Sequence, residues 1–209
     1  GIDEPLAWIR NGEQRIFYTS MGYPEDFQNP QFTRMLDNAL FWISHWKPTM
    51  KPLAISKNNR FLVTADGEPF FWQADTAWEL FHRLNREETI VYLDNRAARR
   101  FNVIQAVALA EQGGLEVPNR FGELCLFNKD PRKPNSAYFD HVGWVIDQAA
   151  SRGLYVALLP TWAAFVGDFT WPHDEIIFDP RSAESYGAYL GNRYKDYPNL
   201  VWVLGGDRP

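Results

Sequence analysis

Short apolar runs recur along the chain after about residue 60 and predict a set of buried strands. A strand that is covered on both faces is continuously apolar, whereas a strand with one face in water alternates. Four runs fit the buried pattern: residues 70–74, 102–109, 154–159 and 200–204.

Between these runs, apolar residues recur every three or four positions, which predicts amphipathic helices. Asn85 and Glu88 have the spacing of a capping box at the start of the first helix, and Asp179 followed by Pro180 is a typical N-cap and first-turn pair. Gly153 closes the second helix. The predicted helices span about residues 85–100, 137–152 and 179–194.

The alternation of strands and helices predicts the α/β class with a parallel sheet. An open doubly wound sheet is the rival, but no glycine-rich phosphate loop follows the first strand. A (βα)8 TIM barrel takes about 250 residues. Residues 57–209 supply only four strands. We therefore expect the N-terminal half of a (βα)8 barrel, truncated after the fourth strand.

A β-hairpin is predicted just before the first barrel strand. Asp66 and Gly67 lie between two apolar runs, and this dipeptide is a strong signal for a tight hairpin turn. The predicted arms are residues 60–64 and 69–73, and the second arm continues into the first barrel strand.

The chain divides at a stretch that contains Pro48 and Pro52, and residues 48–56 read as a linker. Residues 1–47 predict one strand over 15–19 and one helix from Asn29 to about Trp46. One strand and one helix bury too little surface to fold alone. Because the chain begins at Gly1, we expect it to be an internal piece of a longer protein, and residues 1–47 to be the end of an upstream domain.

Composition limits the classes of partner. The net charge is −5 and Lys and Arg form no block, which disfavours nucleic acid and anionic membranes as partners. The single cysteine, Cys125, excludes an internal disulfide and a cysteine-based zinc site. Aromatic residues make up 16% of the chain, with nine Trp, which fits either an aromatic core or stacking surfaces for sugar rings.

The polar residues that follow the predicted strands predict a carbohydrate site. In a barrel, reactive side chains lie where strands end and the following loops begin. Acids and amides bind hydroxyl groups, indoles stack on sugars, and one acid can protonate a leaving oxygen. The candidates are Asp75, Thr76, Trp78, Gln105, Glu111, Asn119, Thr161, Trp162 and Asp207.

Each candidate has a structural alternative. Asp75 can cap a turn, and Gln105 can satisfy a buried backbone group. Glu111 heads a long loop, over about residues 110–135, and can remain solvated. Trp162 can fill the mouth of the barrel, and Asp207 can belong to an ordinary Gly-Gly-Asp turn.

The histidines predict neither a metal site nor a cofactor. His45, His82, His141 and His173 show no metal-ligand spacing. His82 follows the first strand closely enough to line the site. A serine nucleophile elbow is absent from the sequence.

Four motifs, in order, resemble the apiosidase-like catalytic domain of glycoside hydrolase family 140. The resemblance covers about residues 52–209. The motifs are WQADTAWELFHRL at 72–84, VIQAV at 103–107, LLPTW at 158–162 and VWVLGGDR at 201–208.

This resemblance implies a retaining (βα)8 glycosidase without a cofactor, periplasmic or extracellular. Asp207 matches the general acid/base after the fourth strand, and the nucleophile would come from a later strand, beyond Pro209. Family members of known activity release apiose from a pectin side chain. Ala163 and Ala164 stand where the family pattern has Gly-Asp. We expect the 209-residue fragment itself to be inactive.

The upstream segment is similar to the end of a trehalose-utilisation-type domain with a glutamine-amidotransferase-like fold. The similar stretches are residues 5–8, 15–20 and 41–43, and Met21-Gly22-Tyr23 stands where such domains often have Leu-Gly-His. No site is expected there.

The sequence therefore predicts a glycoside hydrolase acting on plant cell-wall polysaccharide side chains or the oligosaccharides derived from them. The alternative is a non-catalytic carbohydrate-binding module on a degenerate barrel. An enzyme working through the upstream domain is the third hypothesis.

Overall fold

The computed structural model describes residues 7–10, 16–20, 22–44, 50–167 and 175–205. The chain forms two compact units, residues 1–47 and 48–209. The strands are β1 Ala7–Arg10, β2 Ile16–Thr19, β3 Ala54–Ile55, β4 Leu62–Val63, β5 Ala74–Thr76, β6 Val103–Val107, β7 Tyr155–Leu159 and β8 Leu200–Trp202. The helices are α1 Pro30–Ser44, α2 Leu80–Arg83, α3 Arg86–Ala98, α4 Ser136–Ala150 and α5 Pro180–Tyr194.

The first unit contains an antiparallel strand pair and one helix. β1 pairs with β2, with Ala7 opposite Thr19. Asn29 accepts a hydrogen bond from the backbone N–H of Gln31 (2.9 Å) and starts α1. The sequence predicted β2 and α1 but not β1, which is defined by its pairing with β2.

The predicted hairpin turn forms, but its strand pairing differs. Gly67 adopts a positive φ of 86°, and the N–H of Thr64 donates to the carbonyl of Glu68 (2.9 Å). Beyond the turn, the pairing continues only as a bridge between Val63 and Pro69, where the N–H of Phe70 donates to the carbonyl of Leu62 (2.8 Å). β4 pairs with β3 instead.

The second unit is built on a parallel sheet with strand order β5-β6-β7-β8. Ala74 lies opposite Val103, which lies opposite Tyr155. The first strand begins at Ala74, so the predicted strand over residues 70–74 is wrong by four positions. Phe70 and Trp72 instead pack with Tyr155 below the strand.

The two faces of this sheet carry separate clusters. Ile104 and Val156 face the helices, in the larger core with Phe139 of α4. Val103 and Ala157 face the other way, in a smaller cluster that also holds Phe70, Trp72 and Val201. This second face is the one that a barrel would enclose.

The helices α1, α3, α4 and α5 begin within one residue of the predicted positions, whereas the sequence did not predict α2. The side chain of Asn85 accepts from the N–H of Glu88 and the Glu88 carboxylate accepts from the N–H of Asn85, both at 2.8 Å. Asp179 and Ser182 form the equivalent capping box on α5. Within the described residues, the structure has no helix long and apolar enough to span a bilayer.

Candidate functional site

The candidate residues that the structure describes lie at the carboxyl edge of the parallel sheet or in the loops that leave it. Residues 77–79 join β5 to α2, residues 108–135 join β6 to α4, and residues 160–179 join β7 to α5. We name the last two segments loop 2 and loop 3. Because all four strands run in the same direction, these connections leave from one edge.

Gln105 and Thr76 face the inside of the sheet together. They are direct neighbours in the register of β5 and β6, and the Thr76 hydroxyl donates to Gln105 Oε1 at 3.4 Å. Thr76 is exposed and Gln105 is partly exposed. An amide and a hydroxyl held side by side on an open face can bind the hydroxyl groups of a sugar.

Trp78 and Trp162 form an edge-to-face pair across this edge, with ring centroids 5.5 Å apart. Trp162 is only 3% exposed, and its indole N–H has no acceptor among the described residues. Trp78 is partly exposed. Of the two rings, Trp78 therefore offers surface to a ligand, and Trp162 supports it from behind.

Asp75 lies on the opposite face of the sheet from Gln105. Since the true strand begins at Ala74, Asp75 lies within it and its side chain alternates toward α3. Its Oδ2 accepts hydrogen bonds from the Tyr92 hydroxyl (2.7 Å) and from Arg96. Burial alone would raise the pKa of Asp75, but these two donors outweigh it and hold the pKa below its usual range.

His82 joins α2 to loop 2. Its side chain is 5% exposed, with Nδ1 lying 3.0 Å from Glu79 Oε2 and Nε2 2.9 Å from the carbonyl oxygen of Val117. A carbonyl oxygen only accepts, so Nε2 is the donor in the second bond. Both ring nitrogens are thus used by the protein, as expected of a structural histidine.

Asn119 shapes loop 2 from inside. Its Oδ1 accepts hydrogen bonds from the backbone N–H groups of Phe121 (2.9 Å) and Glu123 (3.0 Å), and the residue is 5% exposed. Its Nδ2 has no partner among the described residues. The structure therefore places Asn119 beneath the loop, away from open surface.

Glu111 lines a cleft of about 160 Å³ between loops 2 and 3. Lys129 bridges the two loops there, because its Nζ lies 2.8 Å from Glu116 Oε1 and 2.5 Å from Glu175 Oε2. The lysine lowers the pKa of Glu116 through its hydrogen bond and charge. The cleft is lined by Glu111, Gly113, Gly114, Leu115, Glu116, Lys129, Phe165 and Glu175.

The sequence did not single out Lys129. The residue has a φ of 54° and follows Asn128 with a φ of 55°, so two consecutive side chains adopt left-handed backbone. Asparagine tolerates this region better than most residues, which is the one local signal of the turn. The bridge between the loops depends on a fold contact that no local pattern contains.

His141 stacks in an aromatic cluster between α4 and loop 2. Its ring centroid lies 5.8 Å from that of Trp144 and 4.7 Å from that of Phe121, and Arg86 lies 4.9 Å from the Trp144 centroid. Neither ring nitrogen has a partner among the described residues. Burial, with a smaller effect from Arg86, lowers the pKa of His141 to about 4.

Asp207, His45 and His173 lie outside the described residues. Thr161 lies at the start of loop 3, and its hydroxyl donates to the carbonyl of Trp162 (3.2 Å). Within the described part of the chain, the structure contains no group of three His, Cys, Asp or Glu side chains placed to bind a metal ion.

Two solved structures resemble this chain in both sequence and fold. One is a glycoside hydrolase family 5 protein from Bacteroides vulgatus ATCC 8482, with 34% identity and a TM-score of 0.62 over 75% of this chain and 32% of its own. The other is described as a glycoside hydrolase, with 31% identity and a TM-score of 0.64 over 77% of this chain and 35% of its own. The chain thus spans about a third of the length of these two structures.

A family 5 mannosidase from Rhizomucor miehei shares the fold at 13% identity, with a TM-score of 0.52 over 75% of this chain and 48% of its own. These relatives are TIM barrels, and the parallel sheet with its helices corresponds to part of such a barrel. Among curated proteins, no relative matches the chain.

The profile of the family described as "Apiosidase-like, catalytic domain" matches residues 56–209. That range includes the whole parallel sheet and both loops that carry the candidate residues. The chain belongs to the apiosidase-like catalytic-domain family of glycoside hydrolases.

Proposed function

We propose that the protein hydrolyses a glycosidic bond in plant cell-wall polysaccharide side chains or oligosaccharides derived from them, in the manner of an apiosidase. The observation that carries this proposal is the family match over residues 56–209. Thr76, Gln105 and Trp78 support it, because they present a hydroxyl, an amide and an indole at the carboxyl edge of the sheet.

Asp207 is the proposed general acid/base. It follows β8 after Gly205 and Gly206, at the end of a strand where glycosidase barrels carry their acids. Its carboxyl group protonates the departing oxygen in the first step and deprotonates water in the second. A retaining mechanism requires a second carboxylate about 5 Å away. We propose that this nucleophile lies beyond Pro209.

Substrate binding involves the inner face of the sheet. The ring of Trp78 stacks on the apolar face of the sugar, and Gln105 with Thr76 binds its hydroxyl groups. Glu111 and Asn119 belong to loop 2, whose conformation depends on the contacts of His82 and Asn119. These residues shape the site, whereas Asp75 stabilises the strand below it.

The test is Asp207→Asn in the full-length protein, with Asp196→Asn as the matched control. Asp196 is an exposed aspartate close to the end of α5. Loss of the acid slows hydrolysis of poor leaving groups about 100-fold or more and affects activated aryl glycosides far less. Asp196→Asn retains parent activity on both.

Equal activity of Asp207→Asn and the parent on both substrate types would reject the assignment of the acid. Sugar binding without turnover in the parent would favour the carbohydrate-binding module instead. The activity assay measures turnover, and isothermal titration with apiose measures sugar binding.

A further inference from the structure

Two helices, α4 and α5, each place a tyrosine hydroxyl at the carboxyl end of the strand that precedes them. Tyr138 of α4 donates to the carbonyl of Ala108 (2.9 Å), and Tyr186 of α5 donates to the carbonyl of Pro160 (2.9 Å). Tyr92 of α3 donates to the side chain of Asp75 (2.7 Å). The bond to a backbone carbonyl thus recurs in two successive strand–helix units, whereas the bond of Tyr92 goes to a side chain.

The two backbone acceptors occupy equivalent places in the sheet. Val107 and Leu159 are the last residues of β6 and β7 and lie opposite each other, so Ala108 and Pro160 are the first residues beyond each strand. Loops 2 and 3 begin there. Each tyrosine therefore fixes a carbonyl at the point where a strand becomes a loop.

The residue that accepts the hydrogen bond from Tyr186 lies two positions before Trp162, which contacts the proposed sugar site. Pro160 has no N–H, so it cannot donate a backbone hydrogen bond to a neighbouring strand. Its carbonyl oxygen instead accepts a hydrogen bond from the Tyr186 hydroxyl. Thr161 and Trp162 follow at once. Trp162 is buried against Trp78, the ring that offers surface to a ligand.

Tyr186 is itself held firmly. The residue is 2% exposed, and its ring packs against Phe139 and Phe178 with centroid distances of 6.1 and 5.5 Å. Burial raises the pKa of Tyr186 well above its usual value, so the hydroxyl stays protonated and remains a donor.

We propose that Tyr186 is a positioning residue, whose hydrogen bond to Pro160 sets the orientation of Trp162 and, through it, of the sugar-facing Trp78. The proposal rests on the proposed glycosidase site for its functional meaning. Tyr138 positions the start of loop 2 through its hydrogen bond to the carbonyl of Ala108. Removal of either hydroxyl leaves the fold intact and changes the loop that follows the strand.

The matched control for Tyr186→Phe is Tyr194→Phe. Tyr194 lies on the same helix, is 1% exposed, and donates a buried hydrogen bond to the carbonyl of Phe139 (2.7 Å). That acceptor lies in the first turn of α4 and not at the end of a strand. The two variants each lose one buried tyrosine hydrogen bond, but only one loses a contact at the loop.

The first measurement is ¹⁹F NMR of protein labelled with 5-fluorotryptophan. Trp78→Phe and Trp162→Phe assign the two resonances. Tyr186→Phe shifts or broadens both resonances, whereas Tyr194→Phe leaves both in place. Unchanged Trp78 and Trp162 resonances in Tyr186→Phe, or equal shifts in Tyr194→Phe, would overturn the proposal. This measurement needs no substrate, so it stands apart from any failure of the proposed hydrolysis.

The second measurement tests whether the orientation of Trp78 affects substrate binding. With an activated aryl apioside as the probe, Tyr186→Phe raises KM roughly threefold to tenfold and changes kcat little, because a displaced Trp78 weakens binding in ground and transition states alike. Tyr194→Phe keeps the parent KM. An unchanged KM in a variant with shifted resonances would reject the functional role of Tyr186.

Tyr138→Phe gives an independent variant should Tyr186→Phe fold poorly. Hydrogen exchange of the backbone amides over residues 109–117 becomes faster in Tyr138→Phe and stays at the parent rate in Tyr194→Phe. Identical exchange in the two variants would show that a hydroxyl at the strand end does not control the loop.

Discussion

The guanidinium of Arg96 on α3 binds the carboxylate of Asp75 on β5, and the hydroxyl of Tyr92 completes the contact. This pair connects the first strand of the parallel sheet to α3, the helix that leads to the next strand. The carboxylate and the guanidinium are each about three-quarters covered, with 26% and 28% of their side chains exposed. Breaking the pair leaves a partly buried guanidinium without its acceptor.

Asp75→Asn is expected to destabilise the protein by about 1–2 kcal/mol, between the values typical of surface and buried pairs. Urea denaturation measures the change. Asp66→Asn is the control, because Asp66 pairs with Lys51 at the surface, where their side chains are 75% and 56% exposed and little stability is lost. Equal losses in the two variants would contradict a special role for the Asp75 contact.

The ion pair of Asp75 and Arg96 also predicts that the stability of the fold falls at acid pH. The pKa of Asp75 is lowered in the folded protein, so its contribution is fully present above the unfolded pKa, about 4. That contribution is lost as the pH falls through the folded pKa. Below pH 4, Asp75→Asn and the parent should therefore converge in stability, measured by urea denaturation across this range.

The buried His141 predicts a second pH dependence of the stability, between pH 6.5 and 4. Its pKa is lowered from 6.5 to about 4, so the unfolded chain binds a proton that the folded protein excludes. Stability is complete above pH 6.5 and falls as the pH drops toward 4, by about 3 kcal/mol in total. The physical reason is that a charged imidazole would lie buried among aromatic rings beside Arg86.

His141→Phe should flatten the pH dependence between 6.5 and 4 while keeping the stack with Trp144. Denaturation midpoints at several pH values measure the slope. Asp66→Asn serves again as the control and should retain the parent slope in this window. A slope unchanged by His141→Phe would show that another group titrates there.

Gln105→Ala should reduce activity without affecting stability. The one hydrogen bond to its side chain among the described residues comes from Thr76 and is long, at 3.4 Å, so its loss costs under about 1 kcal/mol. Loss of a contact to a substrate hydroxyl lowers kcat/KM roughly tenfold or more. Gln112→Ala is the control, since Gln112 is exposed on loop 2. Parent kcat/KM in Gln105→Ala would remove this residue from the site.

Trp78 and Trp162 should respond differently to truncation. Trp162→Ala empties a buried position and is expected to cost about 3–5 kcal/mol, measured by urea denaturation. Trp78→Ala removes a partly exposed ring, costs less, and weakens sugar binding about tenfold, measured by isothermal titration with apiose. Parent affinity in Trp78→Ala would indicate that the sugar binds elsewhere.

The local patterns predicted much of the second unit. The runs at residues 102–109 and 154–159 form β6 and β7, and the capping pair of Asn85 and Glu88 starts α3. These features depend on neighbours in the sequence, such as a cap three residues from its partner or a continuous apolar run. The alternation of strands with helices then predicts the parallel sheet.

The first barrel strand shows where this reasoning fails. Residues 70–74 are as apolar as a buried strand, yet Phe70 and Trp72 pack beneath the sheet and β5 begins at Ala74. Because β5 extends to Thr76, Asp75 lies inside the strand and not in the loop after it, and strand residues alternate between the two faces of the sheet. Asp75 thereby faces Arg96, not the inner face of the sheet.

The sequence alone determined the family motifs, the order of strands and helices, and the residue types available for chemistry. The tertiary structure decided which of those residues share a surface. Gln105 and Thr76 meet because two strands align in register, and Trp162 lies behind Trp78 because two connections leave the same edge. His82 and Asn119 are used internally, since loop 2 folds back over them. Register and loop packing join residues far apart in the chain, and no local pattern encodes them.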